Sequence, residues 1–412
     1  MDKNCHKPEL LAEFTILDKD GNVKSQDSEN YNIPGMEYTL DLEVRNPDGT
    51  VDQHVKVPFR SFVANFAHIL NYAFAAVANS TLIKLTSGSN PAADIFIADC
   101  EAASTADTNG IFIGTNSVAA ASPGGATNVA YGDFNLRSKI AHGTSAGQME
   151  YGACTASAWV LGGSSFTFTR TFINSSGASI IVKEVGLVGA SSTDYTLVAR
   201  DTLDPSSTTT TLVDLAVTVA TGQTLSVTYT IGTGTGYTYN WLGLVYSLLT
   251  ASAATILGMV AGGAVSTNFS SDVTYCRCNP AAATTTHGII VGTSAGPRSN
   301  LSLITQNTTL THSAHTTFAT EAATSTGVSV ITTYYAQSYL QRDFTNETGA
   351  LVTVRETGLA AAGNSVKTLL ANVAPTTQYA LQNLETLRVK FTLRYPVTRR
   401  LSAEQAEVNP ID

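Results

Sequence analysis

The sequence predicts a mainly β protein, with tandem antiparallel β-sandwich domains that each carry one apolar helix. Three observations lead to this prediction. The second half of the chain repeats the first, apolar and polar residues alternate in many short segments, and each repeat contains one segment with the apolar spacing of a helix. The chain has 412 residues, so each half is long enough to bury its own core.

The repeat is clearest where residues 170–187 return as residues 342–359, at a constant spacing of 172 residues. Both copies share an Arg, an Asn, a Glu and two Gly in this block. These residues are Arg170, Asn174, Gly177, Glu184 and Gly186 in the first copy, and Arg342, Asn346, Gly349, Glu356 and Gly358 in the second. A period this long exceeds that of a solenoid repeat, so it indicates two complete domains.

The repeat divides the chain into four segments. In chain order they are an N-terminal arm with β-hairpins, the first β-sandwich repeat, the second β-sandwich repeat and a C-terminal tail: residues 1–58, 59–235, 236–398 and 399–412. We expect residues 1–35 and the tail to act as contact arms, which become ordered when they lie on a partner.

Local patterns predict the individual elements. Asp-Gly pairs at 20–21 and 48–49 separate alternating residues, which is a strong hairpin signal. Residues 60–78 place Phe62, Phe66, Ile69, Leu70 and Ala73 on one face and predict a helix. The alternating segments predict strands at 13–17, 38–44, 51–57, 166–172, 180–188, 225–231 and 387–395. Many short strands with one helix per repeat favour an antiparallel sandwich.

Residues 241–265 carry no charge and are long enough to cross a membrane. However, they contain several Ser, Thr and Gly residues, and their counterpart in the first copy includes Asn65 and His68. We therefore predict a buried helix followed by an Ala/Gly-rich strand, and no membrane partner. The chain opens with polar residues that are not followed by the apolar core of a signal peptide, which predicts synthesis in the cytoplasm of the producing cell.

Charged residues make up 13% of the chain, the net charge is −9 and the pI is near 5.3. This balance argues against nucleic acid as a partner, because a protein that follows phosphates carries a basic surface. A surface with so few charges suits a protein that packs against copies of itself or other proteins. Secreted β proteins show the same bias.

The residues shared by both copies have structural interpretations. Asn and Gly supply a tight turn between two strands, and the Gly after each Glu allows a bulge or a close backbone approach. Arg170 and Glu184 lie on strands either side of the turn, so we predict a cross-strand ion pair. The alternative is a pair of ligand or catalytic groups, but the neighbouring sequence supplies no nucleophile or base.

Several short motifs resemble catalytic or cofactor signatures. Residues 143–147 and 292–296 both read Gly-x-Ser-x-Gly, but they lie outside the repeat register and in polar turns, not between a strand and a helix. Residues 232–236 are glycine-rich without the third Gly of a dinucleotide loop, and a joint between the repeats explains them better. We therefore predict no catalytic residue and no cofactor.

Metal-binding patterns are equally incomplete. Residues 18–22 resemble a calcium loop without its distal Glu, and a hairpin turn is the better interpretation. Cys276 and Cys278 lie too close together for an ordinary zinc pair, and His312 and His315 stand in a Thr/Ser-rich segment. Five cysteines in a chain without a signal peptide do not indicate a disulfide framework. We predict no metal site.

The repeated block resembles a module of virion structural proteins from tailed bacteriophages. The resemblance rests on Arg-x-Phe-x-Asn-x-x-Gly, Val-x-Glu-x-Gly-Leu and two later motifs at 197–201 and 222–229, and the upstream residues 60–66 resemble a segment that precedes the module. The second copy departs from it at 371–372 and 384–385. The resemblance implies a non-enzymatic structural component of the virion, in capsid decoration, collar or tail. It implies a homo-oligomer that contacts other virion proteins.

The alternative from the sequence is a receptor- or glycan-binding adhesin of the tail-fibre type. Loops at one end of a sandwich can carry such a site. Residues 233–239 and 332–335 are rich in Thr and Tyr, which offer hydrogen bonds and stacking faces.

Overall fold

The computed structural model describes residues 9–32, 36–58, 63–75, 79–115, 134–160, 163–203, 216–233, 239–252, 254–257, 264–267, 288–292, 310–313, 316–326, 331–362, 367–373 and 378–398. Within these residues the chain is mainly β, all strand pairs are antiparallel, and each repeat has one helix. The predicted class is therefore confirmed, while the tandem-sandwich organisation and the four segment boundaries stay predictions.

Elements up to the end of the first repeat are β1 Glu9–Leu17, β2 Val23–Asn32, β3 Met36–Arg45, β4 Val51–Pro58, α1 Ala64–Ala75, β5 Gly110–Gly114, β6 Glu150–Ala156, β7 Ser165–Ile173, β8 Ile180–Val182, β9 Glu184–Ser191, β10 Asp194–Thr202, β11 Val217–Val219 and β12 Thr224–Thr233. Elements of the second repeat are α2 Tyr239–Thr250, β13 Ala254–Leu257, β14 Ala264–Thr267, β15 Gly288–Gly292, β16 Thr311–His312, β17 Thr316–Thr326, β18 Ile331–Thr345, β19 Val352–Val354, β20 Glu356–Ala362, β21 Lys367–Val373, β22 Tyr379–Leu381 and β23 Thr386–Thr398.

The two repeats build matching sheets. The first forms a five-stranded sheet in the order β4-β3-β12-β7-β6, and the second forms β2-β1-β23-β18-β16, with β17 also on β18. Each repeat adds a three-stranded sheet, β10-β9-β5 or β21-β20-β15, and a two-stranded one, β8-β11 or β19-β22. A further pair, β13-β14, follows α2.

The two N-terminal hairpins belong to different sheets. We call β1–β2 (residues 9–32) hairpin A and β3–β4 (residues 36–58) hairpin B. Hairpin B pairs with β12 of the first repeat, whereas hairpin A pairs along all nine residues of β1 with β23 of the second. The predicted hairpins are confirmed. Residues 9–32 of the expected contact arm form hairpin A, with Ala12, Phe14 and Ile16 buried in a sheet, and the contact of this arm with a partner stays a prediction. Residues 1–8 and the tail 399–412 lie outside the described residues.

The hairpins are themselves a repeat, at a spacing of 28 residues. Their turn glycines, Gly21 and Gly49, both have φ near +85°, at +83° and +85°. Their docking registers also match, since Phe14 lies opposite Val389 and Leu42 lies opposite the equivalent Val227. The duplicated unit therefore includes a hairpin, although both hairpins stand together at the start of the chain.

The helices confirm the predicted apolar segments and connect the two repeats. On α1, Phe66, Ile69, Leu70 and Ala73 are buried, and the helix packs against β10 of its own repeat and β18 of the other. On α2, the carbonyl groups of residues 248 and 249 accept hydrogen bonds from the backbone at 98 and 100 in the first repeat. The buried apolar residues accordingly form one connected core.

Residues 241–265 contain most of α2, then β13 and the start of β14, so the predicted helix is confirmed and the antiparallel pair β13–β14 stands where one strand was predicted. Across the described ranges, no helix is long and apolar enough to span a membrane.

The predicted strand 180–188 is two strands. Lys183 interrupts it, and its backbone N–H donates to Gly114 while its carbonyl accepts from Leu203. As a result β8 pairs with β11, whereas β9 pairs with β5 and β10 in another sheet. The pattern changes at the break, because Lys183 and Glu184 are two consecutive polar residues and burial alternates over 180–182 but is continuous over 184–189.

Candidate functional site

Arg170 is a fully buried clamp between two sheets of the first repeat. Its Nε donates to the Gly152 carbonyl at 2.9 Å, and its Nη1 donates to the carbonyls of Asn109 and Ile111 at 3.1 Å each. Its Nη2 donates to the Ala106 carbonyl. Because Arg170 lies on β7 and Ile111 on β5, one guanidinium ties the five-stranded sheet to the three-stranded one.

Arg342 repeats this clamp in the second copy. Its Nε donates to the Ser313 carbonyl at 3.0 Å, and its Nη1 donates to the Ile289 carbonyl on β15 at 2.8 Å. Burial lowers the pKa of Arg342 to about 10 and also lowers the pKa of Arg170. Both groups stay protonated at neutral pH, and their donors are directed at backbone carbonyls within the core.

The predicted ion pair between Arg170 and Glu184 is wrong. Glu184 pairs with Arg200, whose Nε and Nη2 donate to its Oε2 at 2.9 and 2.6 Å, with both side chains fully buried. The backbone N–H groups of Arg137 and Ser138 also donate to the Glu184 carboxylate. Arg200 lies on the neighbouring strand β10, so the carboxylate is satisfied there. In the second copy Asn372 occupies the position of Arg200, and Glu356 is buried like Glu184.

Asn174 and Asn346 hold equivalent turns, as the sequence predicts. Asn174 Nδ2 donates to the carbonyls of Ala178 and Val219 at 2.8 and 2.7 Å. Asn346 Nδ2 donates to the carbonyls of Ala350 and Leu381 at 2.7 and 2.8 Å. In each turn the Asn Oδ1 accepts the N–H two residues later, which is an Asx-turn.

Glycine is required at two kinds of position in the repeated block. Gly177 and Gly349 have φ of +79° and +77°, in the left-handed region that the turn needs. Gly186 instead allows a close approach, because an added Cβ would lie 2.3 Å from Leu136 Cδ1. Gly358 lies at the equivalent position on β20.

Most of the large exposed apolar side chains in the described residues lie at one end of the main sheets. We call this the turn end: the end of each sheet where its hairpin turn meets the Asx-turn. Six such side chains, each 41% to 62% exposed, lie there: Val51, Ile173 and Ile181 in the first repeat, and Val23, Leu351 and Leu384 in the second. Exposed apolar side chains at equivalent places of both repeats make the turn ends candidate contact surfaces.

Leu384 stands out at the turn end because it combines exposure with backbone strain. Its φ is +68°, and its N–H donates to the Asn346 carbonyl. The equivalent residue of the first repeat is Gly222, with φ +85° and the same bond to Asn174. A leucine in this conformation costs about 1 kcal/mol or more relative to glycine, so the second repeat retains an exposed apolar residue at the expense of strain.

The first Gly-x-Ser-x-Gly match, at 143–147, lies in an ordinary turn. The Gly143 N–H donates to the Met149 carbonyl, and the segment leads into strand β6 where a hydrolase elbow would lead into a helix. Ser145 is exposed there. Of the second match, only Gly292 is described, at the end of β15. Of residues 232–236, Gly232 and Thr233 lie in β12 and the others lie outside the described residues.

The segments that resemble metal-binding motifs also have structural roles where they are described. Asp18 Oδ1 accepts the N–H groups of Asp20 and Asn22, which closes the hairpin turn, and the bond from Asn22 lowers the pKa of Asp18. Among described residues, no group of three His, Cys, Asp or Glu side chains is placed to hold a metal. His312 lies on β16. Cys5, Cys276, Cys278 and His315 lie outside the described residues.

Cys100 and Cys154 are free and buried. Burial raises the pKa of Cys154 to about 11 and raises the pKa of Cys100 well above its ordinary value. Neither is a thiolate at neutral pH, so both behave as small apolar core residues.

Two features of this arrangement were not predicted from the sequence. Arg200 as the partner of Glu184 carries no local signal. The 28-residue hairpin repeat does carry one, because residues 13–23 and 41–51 align around their Asp-Gly turns.

Comparisons with protein-family models, with curated proteins and with solved structures give no match to this chain.

Proposed function

We propose that this chain is a non-enzymatic structural component of a tailed-bacteriophage virion, which assembles with copies of itself and contacts capsid, collar or tail proteins. The observation that carries the proposal is that the polar residues retained in both copies hold the scaffold together. Arg170 and Arg342 bind carbonyls of a second sheet, and Asn174 and Asn346 close turns. These groups are buried, so they support strand geometry and are closed to a substrate.

The turn end supports the assembly part of the proposal. Each repeat exposes three large apolar side chains there, and the chain carries only 13% charged residues. Covering such a surface against another protein removes apolar area from water, at about 25 cal/mol per Å². The sequence resemblance to virion proteins supplies the kind of assembly.

One of the two segments considered as binding loops for the adhesin alternative is a strand. Residues 332–335 lie inside β18, where Tyr334 pairs with Ala323 of β17 and Thr398 of β23. Residues 234–238 lie outside the described residues. A glycan array with the purified chain is the direct measurement for this alternative.

The proposal is tested by asking whether the chain is part of particles and assembles. Quantitative mass spectrometry of density-purified particles should find it in many copies relative to the particle, and light scattering should show the purified chain to be oligomeric. A chain that stays monomeric at all concentrations and is missing from purified particles would contradict the proposal. Specific glycan binding by that monomer would favour the adhesin.

A further inference from the structure

Hairpins A and B dock on their sheets through the same backbone geometry. In both cases the inner strand pairs antiparallel with the last strand of a repeat, and equivalent residues lie opposite each other. Backbone hydrogen bonds of an antiparallel ladder are the same for any sequence. The backbone alone would therefore accept either hairpin on either sheet, and side chains must select between them.

A charge pair selects hairpin A for β23. Lys24 Nζ lies 2.5 Å from Glu385 Oε1, and Glu385 is only 10% exposed. At the equivalent positions of the first repeat, Gln223 Nε2 donates to Asp52 Oδ2 at 3.1 Å and to Asn46 Oδ1 at 2.8 Å. Exchanging the hairpins would place Asp52 against Glu385. Two carboxylates at that position would repel each other, so β23 favours hairpin A and disfavours hairpin B.

One further contact strengthens this selection. Phe14 of hairpin A stacks on Tyr379 with ring centroids 4.9 Å apart, whereas the residue equivalent to Tyr379 in the first repeat is Val217. Glu13 lies 2.5 Å from Lys390, but hairpin B carries Asp41 at the position of Glu13, so this ion pair fits either hairpin. The second-repeat sheet thus favours hairpin A through the charge of Lys24 and the ring of Phe14.

Hairpin A and the strand that selects it are separated by most of the chain, since Leu17 pairs with Thr386. A site that recognises a segment so distant in sequence recognises the identical segment of a neighbouring copy equally well. When many copies are held together, the local concentration of neighbouring hairpins is high. Exchange of an identical element is also a low-cost route to association, because no new interface has to be created.

We propose that the edge of β23 is a binding site for hairpin A that operates between copies, so that in the assembled protein hairpin A of one chain completes the second-repeat sheet of another. The recognition set is Lys24 with Glu385 and Phe14 with Tyr379. The proposal rests on the self-assembly in the proposed function and adds the surface through which it occurs.

Disulfide trapping between two full-length chains tests the exchange. One chain carries Thr15→Cys and the other Arg388→Cys, with different affinity tags, and the two are co-expressed. Positions 15 and 388 are directly opposite in the ladder, where Cα atoms lie about 4.5–5.5 Å apart, within the range of a disulfide. The matched control places Glu43→Cys and Ser226→Cys on separate chains, at the equivalent positions of hairpin B.

We expect the oxidised oligomer to contain disulfide-linked dimers with both tags for positions 15 and 388, and none for the control. Mass spectrometry of the linked peptides identifies the bond. Adding Lys24→Asp to the first chain should lower the linked fraction roughly threefold or more, because a like-charge pair replaces the ion pair. Combining Lys24→Asp with Glu385→Lys should restore it.

An oligomer in which positions 15 and 388 link only when both cysteines are on the same chain would overturn the exchange and leave the proposed function standing. A protein that forms no oligomer would overturn both.

Discussion

At the scale of single residues, the molecule depends on buried polar groups that join separate sheets. A guanidinium has five N–H donors and no acceptor, so it can satisfy several carbonyls that face one another across a core. Arg170 uses four such bonds from β7. Both repeats carry an arginine at this position. The reason is geometric, because its donors reach carbonyls that a strand ladder leaves unpaired.

We expect Arg170→Met to lower the free energy of unfolding by about 3 kcal/mol or more, because several buried carbonyls lose their donors at once. Urea denaturation followed by circular dichroism measures the loss. The control is Arg388→Met, which removes an arginine that is 39% exposed and paired with Asp343. That pair should contribute less than about 1 kcal/mol. Similar losses of unfolding free energy for both variants would show that Arg170 stabilises the fold no more than an exposed ion pair does.

At the scale of elements, hairpin A is held by a contact with a titratable group, the Glu385 carboxylate, whereas hairpin B is held by the Gln223 amide. Burial alone raises the pKa of Glu385, but the bonds from Lys24 and from the Gln382 N–H outweigh it and leave that pKa below 4.5, its ordinary value. A carboxyl group with a lowered pKa stabilises the folded state above its unfolded pKa, and this contribution disappears as the pH falls through the folded value.

Acidification below about pH 4.5 should therefore loosen hairpin A more in the native protein than in Glu385→Gln, which has no charge to lose at this position. Hydrogen exchange of the β1 amides, compared between the two proteins at each pH, measures the difference. We expect a change of less than about fivefold in exchange rate, because Lys24 is half exposed. Equal pH dependence in the two proteins would rule out a role for this ion pair.

At the scale of the whole molecule, the two repeats share one core and present equivalent turn ends. Each helix packs between the repeats, and hairpin A brings the start of the chain into the sheet that contains its last described strand. The shared core therefore holds the exposed apolar side chains of both turn ends in fixed positions for contact with other molecules.

Leu384→Gly should raise the stability of the chain and weaken its self-association, so this variant separates the two properties. Glycine adopts the positive φ without strain, so the chain should gain up to about 1 kcal/mol in unfolding free energy. The same change removes an apolar side chain from the turn end, so self-association measured by light scattering should weaken. The reverse change in the first repeat, Gly222→Leu, should destabilise the chain by about 1 kcal/mol. Unchanged association of Leu384→Gly would remove this residue from the contact surface.

The sequence predicted features that depend on local chemistry. Alternation revealed the strands at 166–172 and 225–231, because each side of a strand faces one environment along its length. Asn and Gly revealed the turns at 174–177 and 346–349, because Gly adopts a positive φ without strain and the Asn side chain accepts the N–H two residues later. The spacing of 172 residues revealed the duplication. All of these are visible without knowing which elements meet.

Partner choice is where sequence reasoning was wrong. Arg170 and Glu184 lie close in sequence and have opposite charge, so pairing them was the simplest prediction. In the structure, the break at Lys183 moves Glu184 into another sheet, next to Arg200. The burial pattern changes at that break, since residues 180–182 alternate between buried and exposed whereas residues 184–189 are all buried.

The sequence by itself determined that this protein is mainly β, duplicated, and built on turns and strands whose residues return at a constant spacing. Only the tertiary structure decided that hairpin A joins the second repeat, that the helices pack between the repeats and that both arginines clamp two sheets. The physical reason is that turns and strand alternation follow from each residue's own backbone and side chain. A ladder edge, by contrast, accepts any strand, and its partner is selected by distant side chains such as Lys24 and Glu385.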